Sequence, residues 1–580
     1  MTAAVYARLR VADPGLWRAV AHAWRRWATL AGRLTAQLTA DLIRLGGAWS
    51  GTAATAAAAR LTELRRGLIQ FRVLCWQADQ AAGEFAAALT RAKRLLAQAI
   101  SAAHRAGLTI DDEGIIRGGL ATPGAGGAAT REAGGPATTF WAAHPGTTRA
   151  VGHPGATQAA GHPGAAQAAG HPGAAQAAGH PGAAQAAVAE VADDLFAAIA
   201  IAAAADEVAA ERLERIEAAA RQPAVPAGPA RPDCTASPAQ VRRWWDGLTP
   251  AERQWLLATE PAWLAPLDGI PAADRDTANR LLLDDRRAQI ERALATAHGS
   301  ERRRLQDLRH GLDALADRLA EDEGPRAYLL RLDLSEEGRV VVALGDPDRA
   351  DNVVTHVPGM TAELASFGGE LTRAERVAGR AAELSPAAST SAVLWLDYDA
   401  PDFVDEAASA RRAEAGAPAL RRFQEGLRAT VDGPPARQTV IGHSYGSLLV
   451  GKAAAGSGLP ADNVVFVGSP GVGVESVRDL SVPPGRVWST TSSSDVIQYA
   501  APGPAALARD LAVSRLVPVL GPAIAFGSPE RDLWFGHNPS DPAFGARTFA
   551  SAPGAGHLGY WERGSPSLDT LAAITLGTAR

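Results

Sequence analysis

Only two cysteines, Cys75 and Cys234, occur in 580 residues, and they lie in unrelated stretches. That pattern excludes a disulfide framework and a Cys-based metal site, and it leaves the redox compartment open. Lysine is equally scarce: Lys93 and Lys452 stand among abundant arginine and alanine, a coding bias of the kind high-GC genomes impose. Long apolar runs are missing. "LFAAIAIAAAA" from Leu195 and "LVPVLGPAIAF" from Leu516 reach about half the roughly 20 residues a spanning helix needs, so no transmembrane segment is expected. The opening "MTAAVYARLRVADPGLWRAV" carries charge where a signal peptide would place its apolar core, so a soluble protein, cytoplasmic by default, is expected. Charge of one sign is lacking too. The 57 basic and 62 acidic residues nearly balance at −5 and are interspersed, which argues against nucleic acid as a partner.

What is present falls into textures. From Asp13 to about Gly107 apolar residues recur at helical spacing, broken near "LGGAWSGTAA", and predict a helical hairpin within residues 1–110. Trp49-Ser50-Gly51 at the bend resembles the WXG turn of the small helical hairpins exported by type VII (ESX) systems. A tryptophan packed at a corner beside a glycine with φ > 0 accounts for the same three residues. The Tyr-x-x-x-Asp export signal is absent from the helical half, its one match being Tyr398 to Asp402. "LTIDDEGIIRG" reads as a small hairpin. Residues 111–187 then become a Gly/Ala/Pro-rich linker, in which copies of "GHPGAAQAA" repeat every nine residues and carry His153, His162, His171 and His180. Regular histidine invites a metal reading, but tandem copies without an apolar face cannot build a core and behave as linker. A helix over about 188–221, packing on the hairpin, and a second linker at 222–238 complete this half.

From Ala239 the text changes. Thr249-Pro250 and Pro271-Ala272 open helices, and a helical prelude or cover runs to about Glu323. Then come seven strand-like runs: "AYLLRLDL", "RVVVALG", "NVVTHVPG", "AVLWLDY", "QTVIGHS", "NVVFVGSP" and "RVWSTTSS". Helical segments separate most of the later ones, which predicts an α/β fold with a mainly parallel sheet covered on both faces. The first two runs, joined by "SEEG", should form an antiparallel hairpin at its edge.

The chemistry centres on "TVIGHSYGSLLVG". A Gly-x-Ser-x-Gly between a strand and a small-residue helix is what a nucleophile elbow needs, and Ser444 is its serine. A serine hydroxyl requires a base, and in this architecture the acid and then the histidine follow it in the chain. Asp495, closing the run "RVWSTTSSSD", and His557, in the glycine-rich "SAPGAGHLGYWE", fit that order. Asp495 could equally cap the segment after it. Asp510, Asp532 and Asp541 are competing acids, and His537 is the rival base. For the oxyanion hole the expected donors are the N–H of Tyr445 and that of Met360, with Gly359 allowing close approach in "THVPGMTAEL". His356 is expected to brace that loop.

Several segments carry a wider likeness: "WWDGLTPAERQWLL" with "LDGIPAADRDTANR", "VALGDPDRADNVVTHVPGM", "WLDYDAP", "GHSYGS", "GSPGVGV" and "DPAFGARTF" before the late histidine. Through them the chain from about Ala239 to its end resembles the actinobacterial α/β-hydrolase family catalogued as domain of unknown function 1023. The resemblance implies an α/β-hydrolase fold over 239–580 and a Ser-His-Asp site on Ser444, Asp495 and His557. It names no substrate. Met360 stands where the family pattern has a small residue.

The expectation is a serine hydrolase acting on a small-molecule or lipid acyl ester, needing neither cofactor nor metal. Trp244, Trp245, Trp255 and Trp263 either cover the site or bury one helix against another, and the second reading is favoured. The alternative function is a secretion-associated or partner-binding helical protein, with the hairpin docking a helical partner or a type VII export apparatus and the hydrolase domain secondary or inactive.

Overall fold

The computed structural model describes residues 2–118, 181–221, 228–499 and 532–580. The repeat histidines and the first three nine-residue repeats, the start of the second linker, the apolar run from Leu516 and Asp510 lie outside them; the last repeat, expected as linker, is helical from Pro181. Helical periodicity becomes α1 (Thr2–Val11), α2 (Pro14–Ala48) and α3 (Thr52–Arg105). Asp13 starts α2 by accepting the Gly15 N–H, with Pro14 in the first turn. The break falls at residues 49–51, where Gly51 takes φ 106° and Trp49 is exposed rather than packed into the corner. β1 (Leu108–Ile110) and β2 (Ile116–Gly118) form the small antiparallel hairpin, and α4 spans Pro181–Arg221.

Contacts divide the chain into two units, Met1–Val11 with Ala92–Ala200, and Ala12–Arg91 with Ile201–Arg580. The compositional boundaries expected at 110, 187, 221 and 238 follow the texture of the chain instead. The two divisions differ because α3 and α4 are continuous helices that contribute residues to both units. The first unit buries Tyr6, Leu9, Leu95, Ala99, Val191 and Leu195.

In the second unit a run of helices precedes the sheet: α5 (Pro238–Asp246), α6 (Pro250–Thr259), α7 (Pro261–Leu264), α8 (Ala272–Leu294) and α9 (Gly299–Ala320). Capping boxes on Ser237 with Gln240 and on Thr249 with Glu252 start α5 and α6. Trp245 is fully buried in a cluster with Val73, Cys75 and Trp76 of α3 and Leu256, Leu257 and Leu264, while Trp244, Trp255 and Trp263 pack around it. Burial pushes the Cys75 thiol up to about 11, so it acts as an inert core residue.

All seven expected strands form: β3 (Ala327–Asp333), β4 (Arg339–Leu344), β5 (Asn352–Val357), β6 (Thr390–Leu396), β7 (Arg437–His443), β8 (Asn463–Val467) and β9 (Val487–Thr490). Interleaved with them are α10 (Phe367–Leu384), the short α11 (Val404–Ala407), α12 (Arg411–Thr430) and α13 (Tyr445–Ala454). Beyond them, β10 (Asp532–Leu533) and β11 (Gly536–His537) pair with each other, and β12 (Arg547–Thr548) adds an eighth strand to the main sheet. Its order is β12-β9-β8-β7-β5-β6-β4-β3. The β3–β4 hairpin is antiparallel at the edge, β4 also meets β6 antiparallel, and the remaining pairs are parallel. α10 packs with the C-terminal helix Pro566–Leu576, and α12 with α13. β5 and β8 are buried at every residue, as strands covered on both faces must be.

A buried ion network joins the helices to the sheet. The Asp79 carboxylate of α3 accepts from Arg25 at 3.1 Å and from Arg326 at 2.9 Å, and Asp276 of α8 accepts from Arg280, Gln80 and the Leu329 N–H. Burial works against the ionised Asp79, but Arg326 and Arg25 hold its carboxyl below the usual range. Asp79→Ala leaves two buried guanidinium groups short of their counter-charge and is expected to cost about 3–5 kcal/mol in denaturant unfolding; a loss below about 1 kcal/mol would show that the network is dispensable.

Asp348, in the turn between β4 and β5, accepts the first N–H of α8 at Ala272 and the Thr430 hydroxyl. It thereby caps a helix whose preceding residue, Pro271, offers no side-chain cap. Burial, and then the nearby Asp346, push the Asp348 carboxyl up to about 7. The folded state therefore holds this proton where the unfolded chain has released it, so stability falls as pH rises from about 4 to 7, by roughly 1 kcal/mol per pH unit. Asp348→Asn should flatten that slope in melting curves taken across the window.

Candidate active site

Ser444 sits between the last residue of β7 and the first of α13, and its backbone takes φ 53° and ψ −128°. A non-glycine residue adopts that conformation only where its surroundings impose it, at a cost of about 1–3 kcal/mol. β7 is paired on both sides, with β5 and β8, and the Ser444 N–H donates to the Val467 carbonyl at 3.0 Å. The helix side is clamped by close approach: a Cβ on Gly446 would lie 2.3 Å from the Val357 carbonyl oxygen and 2.4 Å from that of Pro358. The turn therefore holds Ser444 in its strained form and leaves its side chain partly exposed.

Asp495 and His557 come together across 62 residues of sequence. His557 Nδ1 donates to Asp495 Oδ2 at 2.9 Å, with Oδ1 at 3.0 Å. With Nδ1 carrying the proton, the lone pair of the neutral ring is on Nε2, as a general base requires. The carboxylate is fully buried and also accepts the Tyr560 hydroxyl at 2.6 Å and the Ile497 N–H at 3.0 Å. The last bond caps the turn Val496–Tyr499, the capping role weighed for Asp495. Gly468, next to the Val467 carbonyl that receives the Ser444 N–H, lies so close to the pair that a Cβ there would be 2.8 Å from Asp495 Oδ2 and 3.3 Å from His557 Nδ1. No hydrogen bond joins the Ser444 hydroxyl to His557 among the described residues.

The competing residues are placed elsewhere. His537 lies 3.6 Å from Asp541, its ring is stacked on Phe544, and Asp541 caps the turn at Ala543. Asp532 begins β10. Gly359 packs directly on the elbow, where a Cβ would lie 2.7 Å from Ser444 Cβ and 3.1 Å from the Tyr445 nitrogen. The N–H groups of Tyr445 and Met360 make no hydrogen bond with described residues. Thr361, at φ 66°, donates its N–H to Pro401 and anchors the far side of the Met360 loop. His356 meets Glu370 through Nε2 at 2.9 Å and is fully buried.

Comparison with known proteins agrees with this fold. Residues 333–505 match a family model described as alpha/beta hydrolase, a span that holds Ser444 and Asp495 and stops short of His557. The uncharacterized protein Rv0963c of Mycobacterium tuberculosis is 33% identical over 209 residues, 34% of this chain and 76% of that protein. The chain belongs to the alpha/beta-hydrolase family. Another relative of this hydrolase chain, the uncharacterized protein Rv2079 of Mycobacterium tuberculosis, is 29% identical over 389 residues, covering 60% of this chain. The chain spans 56% of that relative's length. No solved structure matches it. Family membership supports a hydrolytic activity.

Three residues of this hydrolase-family site escaped the sequence reading. His443, just before Ser444, is buried and donates through Nε2 to the His557 carbonyl at 2.9 Å, its ring 4.8 Å from that of His557. Burial, and then the neighbouring His557, hold its pKa well below the ordinary histidine value. Trp561 packs edge-on to His443 and His356. Tyr560 bridges the Ser492 N–H and Asp495, and burial with that carboxylate's charge raises its phenol well above the usual range. The signals were "GHS" and the "YW" three residues after His557, which also read as ordinary core aromatics. Tyr560→Phe removes both hydrogen bonds and is expected to lower unfolding free energy by about 1–3 kcal/mol; an unchanged denaturation midpoint would deny the bridge its structural part.

Proposed function

We propose that the chain is a serine hydrolase cleaving an ester or related acyl bond. What supports the reading is the strained, partly exposed Ser444, whose chain neighbour His443 meets His557, together with a buried carboxylate hydrogen-bonded to that histidine. In this mechanism His557 Nε2 takes the proton of the Ser444 hydroxyl as Oγ attacks the acyl carbon. The tetrahedral oxyanion is received by the N–H groups of Tyr445 and Met360, and Asp495 stabilises the imidazolium. Collapse transfers the proton to the leaving alcohol and leaves an acyl-Ser444, which water activated by the same histidine hydrolyses.

An apolar acyl group is the preferred substrate part. Met360, Phe403 and Leu558 are exposed at 37%, 66% and 61%. Their loops adjoin the elbow: Met360 follows Gly359, Leu558 follows His557, and Phe403 lies two residues after the Pro401 that receives the Thr361 N–H. An apolar rim of this kind favours a hydrocarbon chain over a polar acid. The Trp245 cluster, by contrast, packs on α3 and supports no cover over the site.

The test is labelling of the purified chain with a fluorophosphonate, the adduct being located by peptide mass spectrometry. Wild type is expected to carry the adduct on Ser444, with Ser444→Ala and His557→Ala each lowering labelling by at least about a thousandfold. With acyl esters of graded length, kcat/KM should rise beyond acetate, each buried methylene contributing about 0.8 kcal/mol or less. An unlabelled but folded wild type sinks the proposal.

A further inference from the structure

α2 presents a face that the rest of the second unit leaves uncovered. Leu16, Val20, Trp24, Trp27 and Leu34 recur at the three-, four- and seven-residue spacing of one helix side, and all are exposed, Leu16 to 67% and Trp27 to 53%. The helix is held to the body elsewhere, by buried Ala21, Ala28 and Ala31, by Trp17 edge-on to Phe85, and by Arg25 on Asp79. Its charge is one-sided: Arg18, Arg25, Arg26, Arg33 and Arg44 stand against the single acid Asp41. Arg25 is committed to Asp79 and Asp322, and Arg44 to Asp41. Arg26 and Arg33 are exposed and make no ion pair or hydrogen bond among the described residues. With His22, Trp27 and Leu30 they line a surface groove on this helix.

We infer that this face of α2 docks on an anionic lipid surface. Tryptophan rings favour the boundary between headgroups and acyl chains, and unpaired guanidinium groups beside them meet phosphate. Each arginine near such a surface contributes about 1 kcal/mol. No helix among the described residues is long and apolar enough to cross a membrane, so the helix lies on the bilayer. A second copy is the less favourable occupant: stacking two α2 faces would set Arg26 and Arg33 against their equivalents, and Asp41, the only acid on the helix, is already paired.

Co-sedimentation of the full chain with vesicles tests this. Equimolar phosphatidylglycerol and phosphatidylcholine should bring the protein down, phosphatidylcholine alone should not, and added salt should weaken binding. The double variants Trp24→Ser/Trp27→Ser and Arg26→Glu/Arg33→Glu should each lower the partition coefficient at least about tenfold, with each variant shown to be folded by circular dichroism and a cooperative unfolding transition. Failure to bind the anionic vesicles, or equal binding by wild type and both variants, overturns the inference. So does a dimer in sedimentation velocity that the tryptophan variant dissolves, which would assign the face to a second copy. Ser444→Ala should bind as wild type does, so the result stands apart from the proposed hydrolysis.

Discussion

The strained backbone of Ser444 is the constraint around which the hydrolase unit is organised. A residue at φ 53° does not keep that conformation by itself. It is over-determined here, by a strand paired on both flanks, by an N–H fixed to the Val467 carbonyl, and by a glycine that lets the helix press on the β5 loop. The other parts of the site follow from the same sheet order. Gly359 and Met360 leave the end of β5, Gly468 leaves the end of β8, and Asp495 leaves β9, so neighbouring parallel strands deliver them to one edge. Hydrogen bonds of the parallel ladder thus act at a distance, by setting where the loops begin.

Much of this was legible in the sequence, for identifiable reasons. Continuous apolar runs between glycine and proline punctuation gave all seven strands, and "SEEG" gave the edge hairpin. The proposed serine, acid and base could be ordered because the elbow carries a local backbone signature and the others follow in the chain. What stayed hidden was long-range or short. β12 has two residues and no period to detect. Asp348 caps α8 from 76 residues away, and Asp79 meets Arg326 across 247, which no local pattern announces. His443, Tyr560 and Trp561 were in plain view, yet a buried aromatic beside a site looks like any other until its hydrogen bonds are known.

The helical part is more than an appendage to the sheet. Asp79, Gln80 and Trp76 of α3 are built into the ion network and the apolar cluster that also hold α5, α6 and α8. With that face of the hairpin committed, α2 is left with tryptophan and arginine outward, and the two proposals become compatible. A chain held at a lipid surface would meet apolar acyl esters at a local concentration that solution does not offer.

Asp495 has a consequence for how sequences of this kind drift. Its carboxylate is hydrogen-bonded to His557, receives Tyr560 and caps the turn that follows, so in the proposed mechanism chemistry and folding fall to one side chain. Ser444 has no such second duty, and its backbone conformation is one glycine would adopt without strain. In a lineage released from selection for hydrolysis, the serine would be lost early while the aspartate and its tyrosine persisted. An aspartate retained opposite an elbow without its serine would then mark former enzymes, not variants of a different mechanism.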